Sequence, residues 1–195
     1  MTNYVWNFYG HLHTINTHRR LVRQHCFKAG IPVQGLLHDL SKYHPVEFLA
    51  GVKYFAGDHS PNVEERRNTG YSAAWLHHKG RNKHHFEYWF DNGIGVFELV
   101  PVEMPLKYIK EMFCDRVAAS KVYYGDRYDD TVPLQYFNRM DYTKLMAPKT
   151  NALLKELLVM LAEDGGTIGY NPHPTLEGAK QQAKNILNAL GVPLG

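Results

Sequence analysis

Apolar positions recur at helical spacing along most of this chain. From Tyr4 to Lys28 an amphipathic run continues without a breaker until "AGIP", where Gly30 supplies a C-terminal cap and Pro32 stops continuation. One face of that helix carries His11, Ile15, His18, Val22 and His25, at steps of four and three. "PVQGLLHDLSKY" predicts a second, mostly buried helix whose apolar residues are Val33, Leu36, Leu37 and Leu40. His44-Pro45 restarts a helix with proline in its first turn, "PVEFLAGVKYF". The polar crossover "DHSPNVEERRNTG" leaves room for a short helix after Ser60-Pro61. "SAAWLHH" is helical with Ser72 as its cap, "KGRN" interrupts, and "KHHFEYWF" resumes. Strand-like residues gather only in "DNGIGVFELVPVEMP", a short proline-bounded stretch that predicts a loop or minor hairpin. Pro105 then opens "PLKYIKEMFCDRVAASKVYYG", in which Leu106, Ile109, Phe113 and Val117 make a core-facing stripe. Further helices are expected at about 133–140, 148–163 and 174–190. There is no repeat, low-complexity tract or heptad array. The pattern predicts a compact all-α bundle: one domain over 1–195, a motif-bearing part at about 10–125, and C-terminal helices at about 133–190 that complete it.

A chain of 195 residues can bury a core without disulfides or structural metal. Cys26 and Cys114 form no disulfide framework; they suit a reducing compartment and small core positions. "MTNYVWNFYGHLH" lacks the features of a signal peptide, and no apolar run approaches the ~20 residues that span a bilayer, so a cytoplasmic protein without membrane association is expected. A net charge of +3 argues neither for nor against nucleic acid. The compositional anomaly is twelve histidines, spread through the interior of the chain rather than at a terminus. Histidine is the commonest transition-metal ligand and a frequent proton carrier.

The sharpest local signal is "LLHDLSK", where His38 and Asp39 adjoin and Lys42 follows. A His-Asp pair can coordinate one metal, or Asp39 can bridge two. Imidazole with carboxylate suits Zn, Mn, Fe, Co or Ni better than Ca. Lys42, three residues on, can hold a phosphate beside the metal. His18 precedes the pair. "WLHHKGRNKHHFEYW" follows it with His77, His78, His84 and His85. Asp115 sits mid-helix between apolar neighbours, where an unpaired aspartate is costly. Glu111, one turn earlier, either supports a ligand from behind or belongs to a solvated charge pattern. The plain structural alternatives are a capping aspartate at 39 and a basic turn at 77–85, with Trp75, Phe86 and Trp89 packed inward. Four histidines have no packing rationale, which weighs against that turn. Helical neighbours diverge by about 100°, so one histidine of each pair is expected to face the site, and His78 and His85 are taken. Arg81 and Lys83 on the intervening turn can line an anion site. His11 and His25, a heptad either side of His18, either support it or sit exposed on its stripe, and are left outside the site. His44, His59 and His173 are expected at loops or caps.

The order His, His-Asp, histidine cluster, Asp resembles the HD superfamily of metal-dependent phosphohydrolases, an all-helical fold named for its His-Asp pair. That resemblance implies metal ligands at His18, His38, Asp39 and Asp115, with histidines of 77–85 joining where two ions are bound. "GLLHDLSKY", "HHKGRNKHH" and "EMFCD" are also similar to signatures of an uncharacterised family of phage and bacterial proteins, which brings no activity with it.

The implied chemistry is hydrolysis of a nucleotide or other small phosphate ester, assisted by one or two divalent transition-metal ions. Asp39 would bridge, and Lys42, Arg81 and Arg116 would neutralise phosphate charge. No Walker-type glycine loop is present, which argues against an NTP-driven motor. Two rivals remain. The same superfamily includes di-iron oxygenases resembling myo-inositol oxygenase, which act on a small polar metabolite with six comparable ligands. A non-catalytic metal- or nucleotide-binding module would use the same residues. Basic residues interleaved with rings in "RNKHHFEYW" could stack on unpaired bases, but the modest charge and lack of a longer basic stripe set nucleic acid aside. The sequence leaves homo-oligomerisation open.

Overall fold

The computed structural model describes residues 4–95 and 97–163. Among them it forms eight α-helices and one two-stranded hairpin, the expected all-α bundle. The predicted helix at 174–190 and His173 lie outside the described residues.

Helix α1 spans Tyr4–Lys28, and its buried stripe is Asn7, His11, Ile15, His18, Val22, His25 and Cys26. The heptad histidines are thus all interior, which removes the exposed reading of His11 and His25. Helix α2, Pro32–Leu37, lies against α1 through Gly35, where an added Cβ would sit 2.7 Å from Cys26 Cβ. Because that backbone edge makes the contact, Val33, Leu36, Leu37 and Leu40 point outward and are exposed, against the expected buried helix. Nor does that helix continue. It stops before His38, Asp39 takes a left-handed φ of 53°, and a 3₁₀ turn covers Leu40–Tyr43.

Arg19 provides the reason for the break. Its guanidinium donates to the carbonyls of Leu36 and His38, at 3.3 and 2.8 Å, and so caps the carbonyls that a helix end leaves without partners. Aspartate is among the few residues that tolerate the left-handed region.

Helix α3, Pro45–Lys53, starts as predicted, with His44 Nδ1 accepting from the Val46 amide. Helix α4, Pro61–Thr69, is capped by Ser60, with His59 in the loop before it. Helix α5, Ala73–Lys79, is capped by Ser72. No helix resumes at "KHHFEYWF": a turn leads through His84, His85 is extended, and a single 3₁₀ turn covers Phe86–Tyr88. Strands β1, Phe90–Asn92, and β2, Leu99–Pro101, pair antiparallel as a small hairpin.

Helix α6, Leu106–Tyr124, is the central element. One side packs on α1 through Val22, Cys26, Cys114 and Ala118. Another packs Ile109 and Met112, with Met104 just before the helix, onto Phe137, Tyr142, Met146, Leu153, Leu154 and Leu158, which belong to or precede α7, Val132–Asn138, and α8, Pro148–Glu163. Each large apolar side chain so buried contributes roughly 1.5–3 kcal/mol. Leu106 of the predicted stripe is exposed instead, because the buried face begins at Ile109 and takes in Glu111 and Cys114. No helix among the described residues is long and apolar enough to cross a membrane.

Candidate metal centre

Four elements deliver side chains to one buried cluster. The stripe of α1 presents His18, the left-handed turn after α2 presents His38 and Asp39, α5 and the turn after it present His78, His84 and His85, and α6 presents Asp115. The donors fall into two groups that share Asp39, with His18, His38, Asp39 and Asp115 in one and Asp39, His78, His84 and His85 in the other, while Glu111 gathers His38 and His84 into a third group on their Nδ1 sides.

The sharing is atomic. Asp39 Oδ2 lies 3.6 Å from His18 Nε2, 3.3 Å from His38 Nε2 and 2.9 Å from Lys42 Nζ. Asp39 Oδ1 lies 3.4 Å from both His78 Nε2 and His84 Nε2. Asp115 Oδ1 closes the first group, 3.0 Å from His18 Nε2 and 3.4 Å from His38 Nε2. His18 Nε2 and His38 Nε2 are themselves only 3.3 Å apart. His85 packs its ring 4.1 Å from that of His84 and 4.8 Å from that of His78, with Trp75 against it at 4.7 Å.

Carboxylates hold the imidazoles from behind. Glu111 Oε1 lies 2.9 Å from His38 Nδ1 and 3.1 Å from His84 Nδ1. Glu47 reaches His78 Nδ1 at 2.7 Å through one oxygen and His77 Nδ1 at 2.6 Å through the other. A ring whose Nδ1 donates to a carboxylate turns a basic Nε2 the other way, the arrangement that orients metal-ligating histidines. Ser41 Oγ and Asn82 Nδ2 brace His78 further, the latter donating to the His78 carbonyl at 2.8 Å.

The electrostatics call for cations. Four carboxylates, Asp39, Asp115, Glu47 and Glu111, converge here, and Lys42, 31% exposed, is the lysine that pairs with Asp39. Burial alone would lower the pKa of His38, but Asp39, Asp115 and Glu111 outweigh it and raise it well above the usual 6.5. Burial would raise the carboxyls of Asp39 and Asp115. The imidazoles, with Lys42 in the case of Asp39, outweigh it and hold both well below the ordinary carboxylate range. His84 and His85 are pushed the other way, below 6.5, by burial first and then by neighbouring imidazoles. Asp39 Oδ1, His84 Nε2 and His85 Nε2 are fully buried without a hydrogen-bond partner, and Asp39 Oδ2, equally buried, has the ion pair with Lys42. Buried polar atoms without partners are rare and costly. Two divalent cations, one for each group that shares Asp39, would satisfy the three unpartnered atoms, and the nitrogen–oxygen donor set fits transition metals.

The six ligands expected from the sequence, His18, His38, Asp39, His78, His85 and Asp115, are all brought together. His84, which that reading set aside, joins them. Lys42 stands at the shared carboxylate as expected. Arg81 does not join: it is exposed in the turn after α5, and its guanidinium donates to the His77 carbonyl of that helix. Lys83 is likewise exposed, over the ring of Tyr88. Arg116 is turned away from the cluster, lying 5.2 Å from the centre of the Tyr142 ring and donating to its hydroxyl. Glu111, left open by the sequence, supports the ligands, and Glu47 was missed. Phe86 and Trp89 pack on the α6–α8 core, so the plain packing role of the aromatics holds beside the ligand role of the histidines.

The sequence model of a family of unknown function, DUF5662, matches residues 7–160, a span that contains every residue of the cluster. No curated protein and no solved structure matches the chain.

Proposed function

We propose that this chain, which belongs to the DUF5662 family, is a cytoplasmic, metal-dependent phosphohydrolase of the HD type that acts on a nucleotide or another small phosphate ester. The observation that carries this reading is the division of Asp39, with Oδ2 among His18, His38 and Lys42 and Oδ1 between His78 and His84. A carboxylate so divided is suited to being shared by the two ions of a hydrolytic centre. His18, His38, Asp39 and Asp115 would hold one ion, and Asp39, His78, His84 and His85 the other. Such ions supply Lewis acidity, activating water and polarising a phosphoryl oxygen.

The chain's own residues supply the rest. Glu47 and Glu111 fix the Nε2-inward orientation of His78, His38 and His84. Lys42 is half-buried at the shared carboxylate, where its charge is weakly screened and can neutralise a phosphate oxygen as charge builds there. With Arg81 and Arg116 turned away, Lys42 carries that role without them.

The experiment is elemental analysis of the purified protein with phosphate release from a panel of nucleotides and sugar phosphates under each divalent metal. His38→Ala and Asp39→Ala should each remove bound transition metal while helical content persists. Absence of transition metal from the wild type, before and after loading, would end this reading. A second reading rests on the imidazole-rich second group, three histidines and one shared carboxylate, which equally suits a di-iron oxygenase. Stoichiometric iron, a mixed-valent EPR signal and O₂ consumption without phosphate release would select it.

A further inference from the structure

Glu111 stands in a position that no other residue of the cluster shares. It is buried on α6, one turn before Asp115. Its single oxygen Oε1 accepts from His38 Nδ1 at 2.9 Å and from His84 Nδ1 at 3.1 Å. These two rings belong to different ones of the two groups that share Asp39, and they meet each other only in the group that Glu111 makes with them. They lie against each other at a tilt, with centres 4.4 Å apart and planes 37° from parallel. A carboxylate oxygen can only accept, so each Nδ1 must be the donor and each Nε2 must be the basic nitrogen. His38 Nε2 then points at Asp39 Oδ2 and Asp115 Oδ1, and His84 Nε2 at Asp39 Oδ1. One oxygen thus sets the tautomer of one ligand in each half.

Glu47 makes the contrast. Within the donor groups it contacts His78 alone, since its other oxygen holds His77, which belongs to neither group.

We infer that Glu111 is the shared positioning residue that makes two donor groups one centre: ion affinity in both halves depends on it, whereas Glu47 governs the His78 half only. The inference rests on the two-ion reading above and adds to it a division of labour among residues that touch no ion themselves. Groups that orient a ligand from behind are typically worth 10–100-fold in metal affinity. Glu111→Ala should therefore weaken both binding steps by roughly that factor. Glu47→Ala should weaken one step and leave the other at the wild-type value. Glu111→Gln keeps an Oε1 that can accept from both Nδ1 groups, and should restore part of the loss in both steps together.

The test is a titration of the full-length, chelator-stripped protein with cobalt(II) alone, followed by calorimetry and by the ligand-field absorption of the bound ion, with circular dichroism to verify folding. Equal losses in the two steps of Glu111→Ala, partial rescue by Gln, and a one-step loss in Glu47→Ala are the expected result. A Glu111→Ala protein that retains one step at wild-type affinity overturns the inference while leaving the metal centre standing. So does a Gln variant no better than Ala. Should Glu111→Ala fail to fold, the Gln variant decides alone, because a loss confined to one step is incompatible with a shared role. A wild type that binds no cobalt overturns the metal reading and this inference with it.

Discussion

Replacing His11 by leucine should make the protein more resistant to acid, and by a predictable amount. His11 is buried on α1 between Phe48 and Phe55, its Nδ1 has no hydrogen-bond partner, and it lies outside both donor groups. Burial, with a smaller contribution from Lys42, lowers its pKa from 6.5 to about 4. A histidine depressed in this way is neutral in the folded state at pH values where the unfolded chain already binds a proton. Stability is therefore full above pH 6.5 and falls as the pH drops toward 4. The full difference corresponds to roughly 3 kcal/mol, of which about 2 kcal/mol is lost between pH 7 and pH 4.5. Leucine cannot titrate, fills a comparable volume and leaves no polar atom without a partner. The assay is urea unfolding of chelator-stripped wild type and His11→Leu at both pH values. We expect the variant within about 1 kcal/mol of wild type at pH 7 and about 2 kcal/mol more stable, relative to that offset, at pH 4.5. The comparison is needed because His25 is lowered to about 4 too, by burial and then by Lys121 and Lys28, and contributes to the same window in both proteins. Parallel pH dependences for the two proteins would refute the reasoning.

Two further outcomes follow from the same geometry. Lys42→Gln should retain bound metal by elemental analysis, because Lys42 is no ligand, yet lose about 10²-fold in kcat/KM for phosphate release; an unchanged kcat/KM would remove Lys42 from the mechanism. Gly35→Ala should lower the thermal midpoint by an amount equivalent to about 1–3 kcal/mol, since its Cβ would meet Cys26 Cβ at 2.7 Å and the Arg23 backbone at 3.2 Å; an unaltered midpoint would show that α2 can retreat from α1.

Much of this centre was written in residue order, and what was missed has physical reasons. His18 and Asp115 stood out because a polar side chain interrupts an apolar stripe. The same signal was available for His11 and His25, which flank Ile15 and Val22 on one face and are buried with them. The carboxylates behind the ligands were harder to read. Glu47 and Glu111 occupy unremarkable helical positions, and only the tertiary approach of α3 to α5 and of α6 to the His38 turn gives them imidazoles to hold. The exposed apolar residues of α2 misled in the opposite direction. Hydrophobic pattern reports which residues can be buried, and here a glycine edge took the contact instead.

The adjacent pairs show best what the sequence withholds. His77-His78 lie on a true helix and diverge as helical neighbours must: His78 Nε2 reaches Asp39, while His77 is turned to Glu47 and joins neither donor group. His38-Asp39 and His84-His85 both converge on one centre, and in both the helix has ended. Asp39 sits at a φ of 53°, and His85 is extended at φ −87° and ψ 127°. A continuous helix through "LLHDLSKY" would have placed His38 and Asp39 about 100° apart, too far for an Nε2–Oδ2 separation of 3.3 Å. The break is thus what makes the His-Asp pair usable, and it is held by a residue of the same helix that delivers His18. Arg19, next along α1, caps the Leu36 and His38 carbonyls, and its own Nη1 donates to the hydroxyl of Tyr43, which in turn donates to Asn16 at 2.6 Å. Helix α1 therefore contributes twice, by a ligand on its buried face and by a clamp beside it that ends the neighbouring helix where two adjacent side chains must point the same way.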